Sequence, residues 1–293
     1  MKHKKQELEN KVTPYIKRLL MSHITGLSTA QLLAEPNLQL TEEQQIWMND
    51  AICRLGNNEP LQHVLGYSEF YGHRFKCDGR ALVPRPETEE LVEWIISMHN
   101  AQCTTSSLEL QRKMHNLNIL DIGTGTGCIA LSLAKELTNS TVTALDISEE
   151  ALSLAKENAK LLEVENIDFI RGDILNIETQ NTETQNIASL QKYAVIVSNP
   201  PYVRECEKAD MEANVLDYDP HTALFVTDDD PLIFYRAIGK FALAHLTPNG
   251  ALYFEINQYL GQETCDLLIG LGYKNVELRE DINGNARMIK ATL

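Results

Sequence analysis

Seven short apolar segments alternate with helix-forming segments after residue 116, and this alternation constrains the fold more than any other feature of the sequence. Apolar strands separated by amphipathic helices are typical of a parallel sheet that is covered on both faces. The segment Asp281–Asn285, between the last two strands, is too short for a parallel crossover, so we expect the final strand to run antiparallel. The sequence therefore predicts an α/β fold with a seven-stranded sheet. The predicted strands lie at 119–122, 141–145, 167–170, 193–197, 251–256, 273–279 and 286–292, and the predicted helices at 126–137, 148–162, 231–246 and 258–271.

The first hundred residues follow helical rather than strand periodicity. Apolar residues at positions 12, 15, 16, 19 and 20 lie on one helical face, and the capping-box sequence Thr41–Gln44 precedes a second apolar stripe. These stripes predict a small helical bundle over residues 1–75. Its first 18 residues carry six Lys or Arg and two Glu, and it contains no reactive motif. We therefore interpret it as a substrate-docking domain, because a basic segment on an acidic protein steers towards acidic partners.

A connector over residues 76–98 is predicted to join this bundle to a second domain at 99–293. Aromatic residues precede the turn dipeptide Asp78-Gly79, which indicates a β-hairpin linker with its turn at that dipeptide, and a helix is expected over 87–98. Two polar segments are interpreted as a loop and as an exposed insertion, and they lie at 99–116 and 176–191.

Charge and composition exclude several classes of function. The chain carries 26 Lys or Arg against 41 Asp or Glu, a formal net charge of −15, which disfavours broad electrostatic binding of nucleic acid. No apolar run is long enough to cross a membrane, and the basic N-terminus is not followed by the apolar core of a signal peptide. The six cysteines are scattered and the eight histidines show no ligand spacing. These features predict a cytoplasmic protein without a metal site.

The segment 121–127 (Asp-Ile-Gly-Thr-Gly-Thr-Gly) lies where the first strand of the sheet meets its first helix. Glycines allow the backbone to approach a ligand closely, and this crevice is where open α/β sheets bind nucleotides. Asp146 ends the next strand, where its carboxylate is placed to accept hydrogen bonds from a ribose. The spacing departs from the dinucleotide pattern, because Cys128 stands at the third glycine position. Asp121 before the loop suits a cofactor with a positive end, and S-adenosylmethionine fits this requirement. The predicted cofactor-binding residues of the loop are Gly123, Thr124, Gly125, Thr126 and Gly127.

A second motif, Asn-Pro-Pro-Tyr, directly follows the strand at 193–197. Two prolines stiffen the turn and remove N–H donors, so its carbonyl groups remain free to accept. The Asn side-chain oxygen and the first proline carbonyl are placed to accept both hydrogens of a planar NH₂ group, while the tyrosine stacks on the conjugated plane. Such a nitrogen is a poor nucleophile, and accepting its two N–H bonds raises its electron density as it attacks a methyl carbon. The residues are Asn199, Pro200, Pro201 and Tyr202; we expect Asn199, Pro200 and Tyr202 to be catalytic and all four to bind the substrate.

Gly172-Asp173 ends the third strand, and the Asp173 carboxylate is placed to accept from an adenine amino group. The alternative interpretation is a solvated loop acid. Likewise, the glycine loop considered alone is compatible with a tight turn that binds no ligand.

Taken in this order, the two motifs resemble those of the class I S-adenosylmethionine-dependent methyltransferases. The wider pattern resembles the release factor glutamine methyltransferases, the PrmC/HemK family. The segments that carry this resemblance are Pro60–Gly66, Phe70–Gly72, Leu82–Glu89, Asn199–Val203 and Asp281–Arg287. The stretch Pro-Arg-Pro-Glu-Thr-Glu within the third of these segments separates this family from other Asn-Pro-Pro-Tyr enzymes.

The resemblance implies a Rossmann-like methyltransferase that methylates the side-chain amide nitrogen of the glutamine in a Gly-Gly-Gln loop of peptide chain release factors. It implies S-adenosylmethionine as methyl donor, with S-adenosylhomocysteine as product, and cofactor contacts from Gly123–Gly127, Asp146, Ile174 and Asn199. Several members have an aromatic residue where this chain has Ile174, so contact with the adenine would be aliphatic here. We expect a monomer that does not bind nucleic acid directly.

Two other functions compete with this interpretation. An enzyme that methylates exocyclic amines of adenine or guanine in nucleic acids meets the same chemical problem. Nine acidic residues and one lysine between Glu205 and Asp230, close in sequence to the proposed active site, argue against it. A non-catalytic adaptor for release factors or ribosomes is disfavoured by the intact motifs.

Overall fold

The computed structural model describes residues 12–105, 117–177 and 192–293. Its helices are α1 (Pro14–Thr25), α2 (Thr29–Ala34), α3 (Glu42–Gly56), α4 (Leu61–Leu65), α5 (Pro86–Thr105), α6 (Cys128–Glu136), α7 (Glu149–Leu161), α8 (Ala213–Tyr218), α9 (His221–Leu224), α10 (Ile233–His245) and α11 (Gly261–Leu271). Its strands are β1 (Tyr67–Phe70), β2 (His73–Lys76), β3 (Leu117–Ile122), β4 (Ser140–Asp146), β5 (Ile167–Arg171), β6 (Tyr193–Ser198), β7 (Val203–Arg204), β8 (Phe225–Val226), β9 (Leu246–Glu255), β10 (Asn275–Glu280) and β11 (Ala286–Thr292).

The chain forms two compact units. The first comprises Met1–Tyr67 with Met211–Tyr218, and the second comprises Ser68–Asp210 with Asp219–Leu293. The first unit is helical, as its apolar spacing predicts. Ser28 and Thr41 begin α2 and α3 with capping boxes, in which the side chain accepts from the third backbone N–H of the helix and a glutamine bonds back. Apolar side chains of this unit form a small core of its own, around Leu20, Met48, Ala51 and Val64.

The second unit is built on a seven-stranded sheet with the strand order β10-β11-β9-β6-β3-β4-β5. The neighbours β9, β6, β3, β4 and β5 are parallel, whereas β11 runs antiparallel to both β9 and β10. This confirms the predicted seven strands and the antiparallel final strand. The chain begins the sheet in its middle, at β3, and turns outwards in opposite directions through β4 and β6. The carboxyl ends of these strands therefore border the crevice where open α/β sheets bind ligands.

Consecutive residues of the central strands pack on opposite faces of the sheet, as the uninterrupted apolar runs require. On β3, Ile119 belongs to the core that includes α5 and α6, and Leu120 belongs to the core that includes α10 and α11. On β6, Val197 belongs to the first of these cores and Ile196 belongs to the second. Helices therefore cover both faces, and the sheet holds the carboxyl ends of β3, β4 and β6 at one edge.

Some predicted boundaries were wrong. The turn of the β1–β2 hairpin lies at Tyr71-Gly72, not at Asp78-Gly79, because φ values of 48° and 73° at these two residues suit a two-residue hairpin turn. Asp78-Gly79 forms a separate turn after β2, where the Ala81 N–H bonds to the Asp78 carbonyl. α5 continues to Thr105 rather than ending at residue 98, since polar residues do not by themselves end a helix. The remainder of the predicted loop, 106–116, and most of the predicted insertion, 178–191, lie outside the described residues.

The first residues of two elements, α6 and β9, also differ from the prediction. α6 starts at Cys128 rather than Thr126, because Gly127 precedes it with a left-handed φ of 81°. β9 starts at Leu246, five residues before the predicted start. Among the residues that the structure describes, no helix combines the length and apolar character needed to cross a membrane.

Candidate active site

A cavity of about 630 Å³ lies in the second unit, at the carboxyl ends of β3, β4, β5 and β6. Most of the residues singled out from the sequence meet there, although the chain separates them by up to 78 positions. Those that line the cavity are Gly123, Thr124, Gly125, Thr126, Asp146, Asp173, Ile174, Asn199, Pro200 and Pro201. Gly127 and Tyr202 lie outside its lining. The sheet therefore joins the glycine loop, the acid after β4 and the Asn-Pro-Pro segment in a single site.

The glycine loop after β3 is held by the neighbouring strand. The N–H groups of Gly123 and Thr124 both donate to the Leu145 carbonyl, at 2.8 and 3.0 Å. Gly123 and Gly125 have left-handed φ values of 76° and 56°, which glycine adopts without strain. Asn158 supports the loop from outside, since its Nδ2 donates to the Thr126 carbonyl at 2.9 Å. The loop is thus fixed by main-chain bonds, with its backbone exposed to the cavity.

Gly127 has a packing role at the start of α6. A Cβ atom at this position would approach the Leu131 side chain to 3.0 Å and Ala155 to 3.2 Å. The requirement for glycine here comes from the close packing of α6 against α7, in addition to the φ of 81°.

Asp121 lies beneath the loop and does not line the cavity. Its carboxylate is fully buried and accepts from the Thr124 hydroxyl at 2.7 Å. Burial, together with the nearby Asp146 charge, raises the pKa of Asp121 to about 7. Asp121 Oδ2 therefore orients Thr124 beneath the glycine loop. Contact between Asp121 and the positive end of a cofactor stays a prediction.

Asp146 ends β4 with its carboxylate divided between two backbone donors. Oδ2 accepts from the Gly125 N–H and Oδ1 accepts from the Ser148 N–H, both at 2.9 Å. Burial raises the pKa of Asp146 and these two bonds oppose that shift. Each carboxylate oxygen has a second lone pair, so Asp146 fixes the loop and still has acceptor capacity for a diol in the cavity.

Beyond β5, Asp173 and Ile174 have different surroundings. Asp173 accepts from the Leu175 N–H at 2.9 Å and from Asn176 Nδ2 at 2.7 Å, and so stabilises the turn. Ile174 is buried at the cavity wall, within the core on the α10 side of the sheet. It presents aliphatic surface to the cavity, and its contact with adenine stays a prediction.

Asn199 follows β6 and bonds to a residue to which the sequence analysis assigned no role, Thr88. Asn199 Nδ2 donates to the Thr88 hydroxyl at 3.3 Å, and the Thr88 hydroxyl donates to Glu255 Oε2 at 2.6 Å. The Tyr202 hydroxyl donates to the other oxygen of Glu255 at 3.1 Å. Glu255 is 1% exposed, so a buried carboxylate supports both ends of the Asn-Pro-Pro-Tyr segment. The signal for Glu255 in the sequence is an acid that directly follows the apolar residues 251–254.

A second buried acid that the sequence analysis missed, Asp219, holds a segment that lines the cavity. It accepts from the Val83 N–H at 3.4 Å and from Arg85 Nη2 at 3.0 Å. Both bonds fix the proline-flanked segment before α5, which also lines the cavity. Among the described residues, no group of three His, Cys, Asp or Glu side chains is arranged to hold a metal ion.

Comparison with known proteins agrees with this geometry. A family model described as a methyltransferase domain matches residues 113–259, half of the chain, and one described as the PrmC N-terminal domain matches residues 10–66. The solved structure of the hMettl16 catalytic domain is similar in fold, with a TM-score of 0.54 and 14% identity over 87% of this chain and 84% of that one. The fold and the site thus define a methyltransferase with a Rossmann-like sheet, and such a domain implies the use of S-adenosylmethionine.

The more similar relatives narrow this class to one family. Release factor glutamine methyltransferase of Flavobacterium psychrophilum is 48% identical over 93% of this chain and 89% of its own length. The enzyme of the same description from Bacteroides thetaiotaomicron is 40% identical over 93% of this chain and 90% of its own length. The chain belongs to the release factor glutamine methyltransferase family.

Proposed function

We propose that this protein transfers a methyl group from S-adenosylmethionine to the side-chain amide nitrogen of the glutamine in the Gly-Gly-Gln loop of peptide chain release factors. Family membership supports this substrate. The observation that carries the chemistry is the Asn199–Pro201 segment in the cavity wall, with the Asn199 amide held by Thr88.

The residues of the cavity fit S-adenosylmethionine. Asp146 is an ionisable acceptor with both oxygens anchored to backbone N–H groups, which suits the two hydroxyls of a ribose. Ile174 offers an apolar wall for an adenine ring, with Asp173 beside it as an acceptor for the amino group. The backbone from Gly123 to Thr126 would border the methionine portion. When bound, S-adenosylmethionine supplies an electrophilic methyl group.

The chain's own residues prepare the amide nitrogen. With Nδ2 of Asn199 engaged by Thr88, Oδ1 is the acceptor that remains for a substrate N–H. The Pro200 carbonyl is the second acceptor, and neither Pro200 nor Pro201 has an N–H that would compete. Accepting both hydrogens raises the electron density of the nitrogen, and one of these hydrogens leaves as a proton to solvent once the nitrogen is methylated. Holding the nitrogen in line with the methyl carbon supplies much of the remaining rate enhancement. Tyr202 is half-buried and its hydroxyl is tied to Glu255, which fixes the far end of the segment.

Mass spectrometry of a release factor incubated with this protein and S-adenosylmethionine tests the proposal. We expect one added methyl group on the glutamine of Gly-Gly-Gln. A release factor with alanine in place of that glutamine is the matched control and should gain none. An unmodified glutamine, with enzyme that binds S-adenosylmethionine, would reject the proposal.

The alternative function, methylation of an exocyclic amine in DNA or RNA, uses the same acceptor pair. The net charge of −15 opposes it, because duplex and single-stranded nucleic acids are bound through their phosphates. Methyl transfer to oligonucleotides in the mass-spectrometric assay, in place of transfer to release factor, would favour this alternative.

We further propose that the enzyme is a cytoplasmic monomer that needs no metal ion, and that the helical region 1–75 docks the release factor. The region carries a local excess of positive charge at its start and contains neither the glycine loop nor the Asn-Pro-Pro-Tyr motif. Long-range attraction of this kind speeds encounter with an acidic surface.

A further inference from the structure

Glu255 is a buried carboxylate at the active site, and neither cofactor binding nor amide acceptance accounts for it. It ends β9 after the apolar residues 251–254 and is 1% exposed. Burying an ionised carboxylate costs several kcal/mol unless hydrogen bonds and opposite charge compensate. The presence of such an unfavourable buried carboxylate near Asn199 therefore needs a physical explanation.

The hydrogen bonds around Glu255 have a defined direction. A threonine hydroxyl has one proton, and at 2.6 Å from Glu255 Oε2 that proton belongs to the bond with the carboxylate, which can only accept. The Thr88 oxygen can then only accept from Asn199. The Asn199 amide must therefore present Nδ2 to Thr88, at 3.3 Å, which leaves Oδ1 for the cavity.

Burial raises the pKa of Glu255, and neighbouring groups partly offset this shift. The Tyr202 hydroxyl donates to Oε1 at 3.1 Å, and the positive charge of Arg287 on β11 opposes the effect of burial. Arg287 is itself held by Asp281, through a bond of 3.0 Å from Nε to Oδ2. Other ionisable groups that act on this cluster are Glu87 on α5, Tyr235 on α10, Cys128 on α6 and Arg85 just before α5.

We propose that Glu255 is a positioning residue: its carboxylate takes the Thr88 proton, and Thr88 thereby fixes Asn199 with Oδ1 towards the substrate amide. This inference rests on the proposed function. It assigns a role to Thr88, within the Pro-Arg-Pro-Glu-Thr-Glu stretch, and to Asp281 and Arg287 near the end of the chain. Thr88 acts on Asn199 directly, whereas Asp281 and Arg287 act through Glu255.

A neutral amide at position 255 would no longer fix the direction of the chain of bonds, because it offers a donor as well as an acceptor. In Glu255→Gln, the amide Nε2 can donate to Thr88, whose proton is then free to point at Asn199. Asn199 would turn its Oδ1 to Thr88 and present Nδ2, a donor, to a substrate NH₂ group that also donates. The hydrogen bond from the substrate NH₂ group to Asn199 is then lost, while the shape of the site is retained.

The test compares Glu255→Gln with wild type in single-turnover methylation of a release factor, with calorimetry of S-adenosylmethionine and thermal melting on the same preparations. We expect the rate at saturating substrate to fall about 10²-fold, the scale for loss of one preorganised hydrogen bond, with cofactor affinity retained. Tm should not fall, because burial raises the pKa of Glu255 and the ionised form therefore costs stability at neutral pH. A folded variant within about threefold of the wild-type rate would overturn the proposal.

Two variants of Thr88 and one control variant far from the site distinguish a loss of Asn199 positioning from a loss of stability. Thr88→Ser retains the hydroxyl and should retain most of the rate, whereas Thr88→Val should lose about as much as Glu255→Gln. Tyr273→Phe removes another buried hydrogen bond, to the Gly239 carbonyl at 2.8 Å, and should lower Tm without lowering the rate of the folded enzyme. Equal rates for the Ser and Val variants would overturn the proposal.

The wild-type pH profile gives a further readout. Protonation of Glu255 should lower the rate on the acidic side, and this limb should be absent from Glu255→Gln; an identical limb in both would count against the proposal. If wild type methylates no release factor, the proposed function fails instead, so the two failures are distinguishable.

Discussion

The orientation of one amide, that of Asn199, depends on a hydroxyl group 111 residues away along the chain. Asn and Gln side chains present an acceptor on one side and a donor on the other, so the direction of a single bond decides which of them meets the substrate. At the residue scale, the function therefore depends on which atom of a side chain, donor or acceptor, the neighbouring residues direct towards the substrate.

Asn199→Ala tests the acceptor directly. Loss of Oδ1 removes a bond that strengthens as the substrate nitrogen loses conjugation, so the loss falls on the transition state. We expect the single-turnover rate to fall about 10²- to 10³-fold, or about 2.7 to 4 kcal/mol, with S-adenosylmethionine affinity less affected.

The control for Asn199→Ala is Asn118→Ala, at the opposite end of β3, where Nδ2 donates to the Lys192 carbonyl. It should leave the rate unchanged. If Asn199 only stabilises its turn, Tm would fall and the folded fraction would methylate normally; that result would exclude the acceptor role.

Asp146→Ala should weaken S-adenosylmethionine binding by about 1.5 to 3 kcal/mol, the range for a charge-assisted hydrogen bond. The alanine also deprives the Gly125 and Ser148 N–H groups of their acceptor, so Tm should fall as well. Asp146→Asn retains one acceptor oxygen and separates the two effects. Unchanged calorimetric affinity in both variants would remove Asp146 from the cofactor site.

Asp121 predicts a pH dependence of stability. Its pKa is about 7 in the folded protein against 3.8 for an ordinary aspartate, so the folded state binds the proton more tightly than the unfolded state. Its contribution to stability is therefore present at low pH and is lost as pH rises from about 4 to about 7, by at most about 1.4 kcal/mol per pH unit. Asp121→Asn should flatten the dependence of Tm on pH in this window, and an unchanged slope would contradict the shifted pKa.

At the scale of the elements, short segments between strands and helices form the site, and the sheet aligns them. The glycine loop illustrates this. Gly123 and Gly125 border the cavity, whereas Gly127 allows α6 to start close to α7. A single glycine-rich sequence thus contains residues with two different physical requirements.

Gly127→Ala should destabilise the protein by about 2 to 4 kcal/mol. The estimate combines a left-handed backbone, which costs an L-residue about 1 to 2 kcal/mol, with overpacking against Leu131 and Ala155. Gly270→Ala is the matched control, since it lies in helix α11 with no atom within 4 Å of the added Cβ. Chemical denaturation should show a loss for the first variant and none for the second; equal stabilities would refute the packing role.

The sequence predicts a good part of this element-scale organisation. Strand and helix periodicity are local properties, so the sheet, its antiparallel last strand and the convergence of Gly123, Asp146 and Asn199 follow from local patterns and topology. The hairpin turn was missed because Tyr71 adopts a positive φ, which is uncommon for an aromatic residue. Thr88 and Glu255 were missed because their contact spans 167 residues, which no local pattern encodes.

At the scale of the whole molecule, an acidic chain begins with a basic segment. Lys17 and Arg18 lie in this segment, on α1, and Arg18 is exposed. If the segment steers the enzyme to an acidic surface of its substrate, the effect should appear in the association rate and should weaken with salt.

Lys17→Glu with Arg18→Glu tests this steering. The two changes convert six basic and two acidic residues among the first 18 into four and four. We expect kcat/KM for intact release factor to fall at low salt, with kcat and S-adenosylmethionine affinity unchanged. Lys160→Glu with Lys240→Glu alters the total charge equally at exposed positions of the other unit. An equal loss in both double variants would attribute the effect to net charge and reject a docking role for the N-terminal segment.

The place of β11 in the sheet affects how this protein is synthesised. The ribosome translates β10 before β11, yet among the described strands β10 pairs with the sheet only through β11. Until residues 286–292 have been translated, one edge of β9 lacks its strand partner, and its N–H and C=O groups form a template for pairing with other chains. Arg287, which offsets the buried charge of Glu255, is translated as part of the same segment. A nascent chain that stalls before residue 286 is therefore a candidate for aggregation or proteolysis rather than a partially active enzyme.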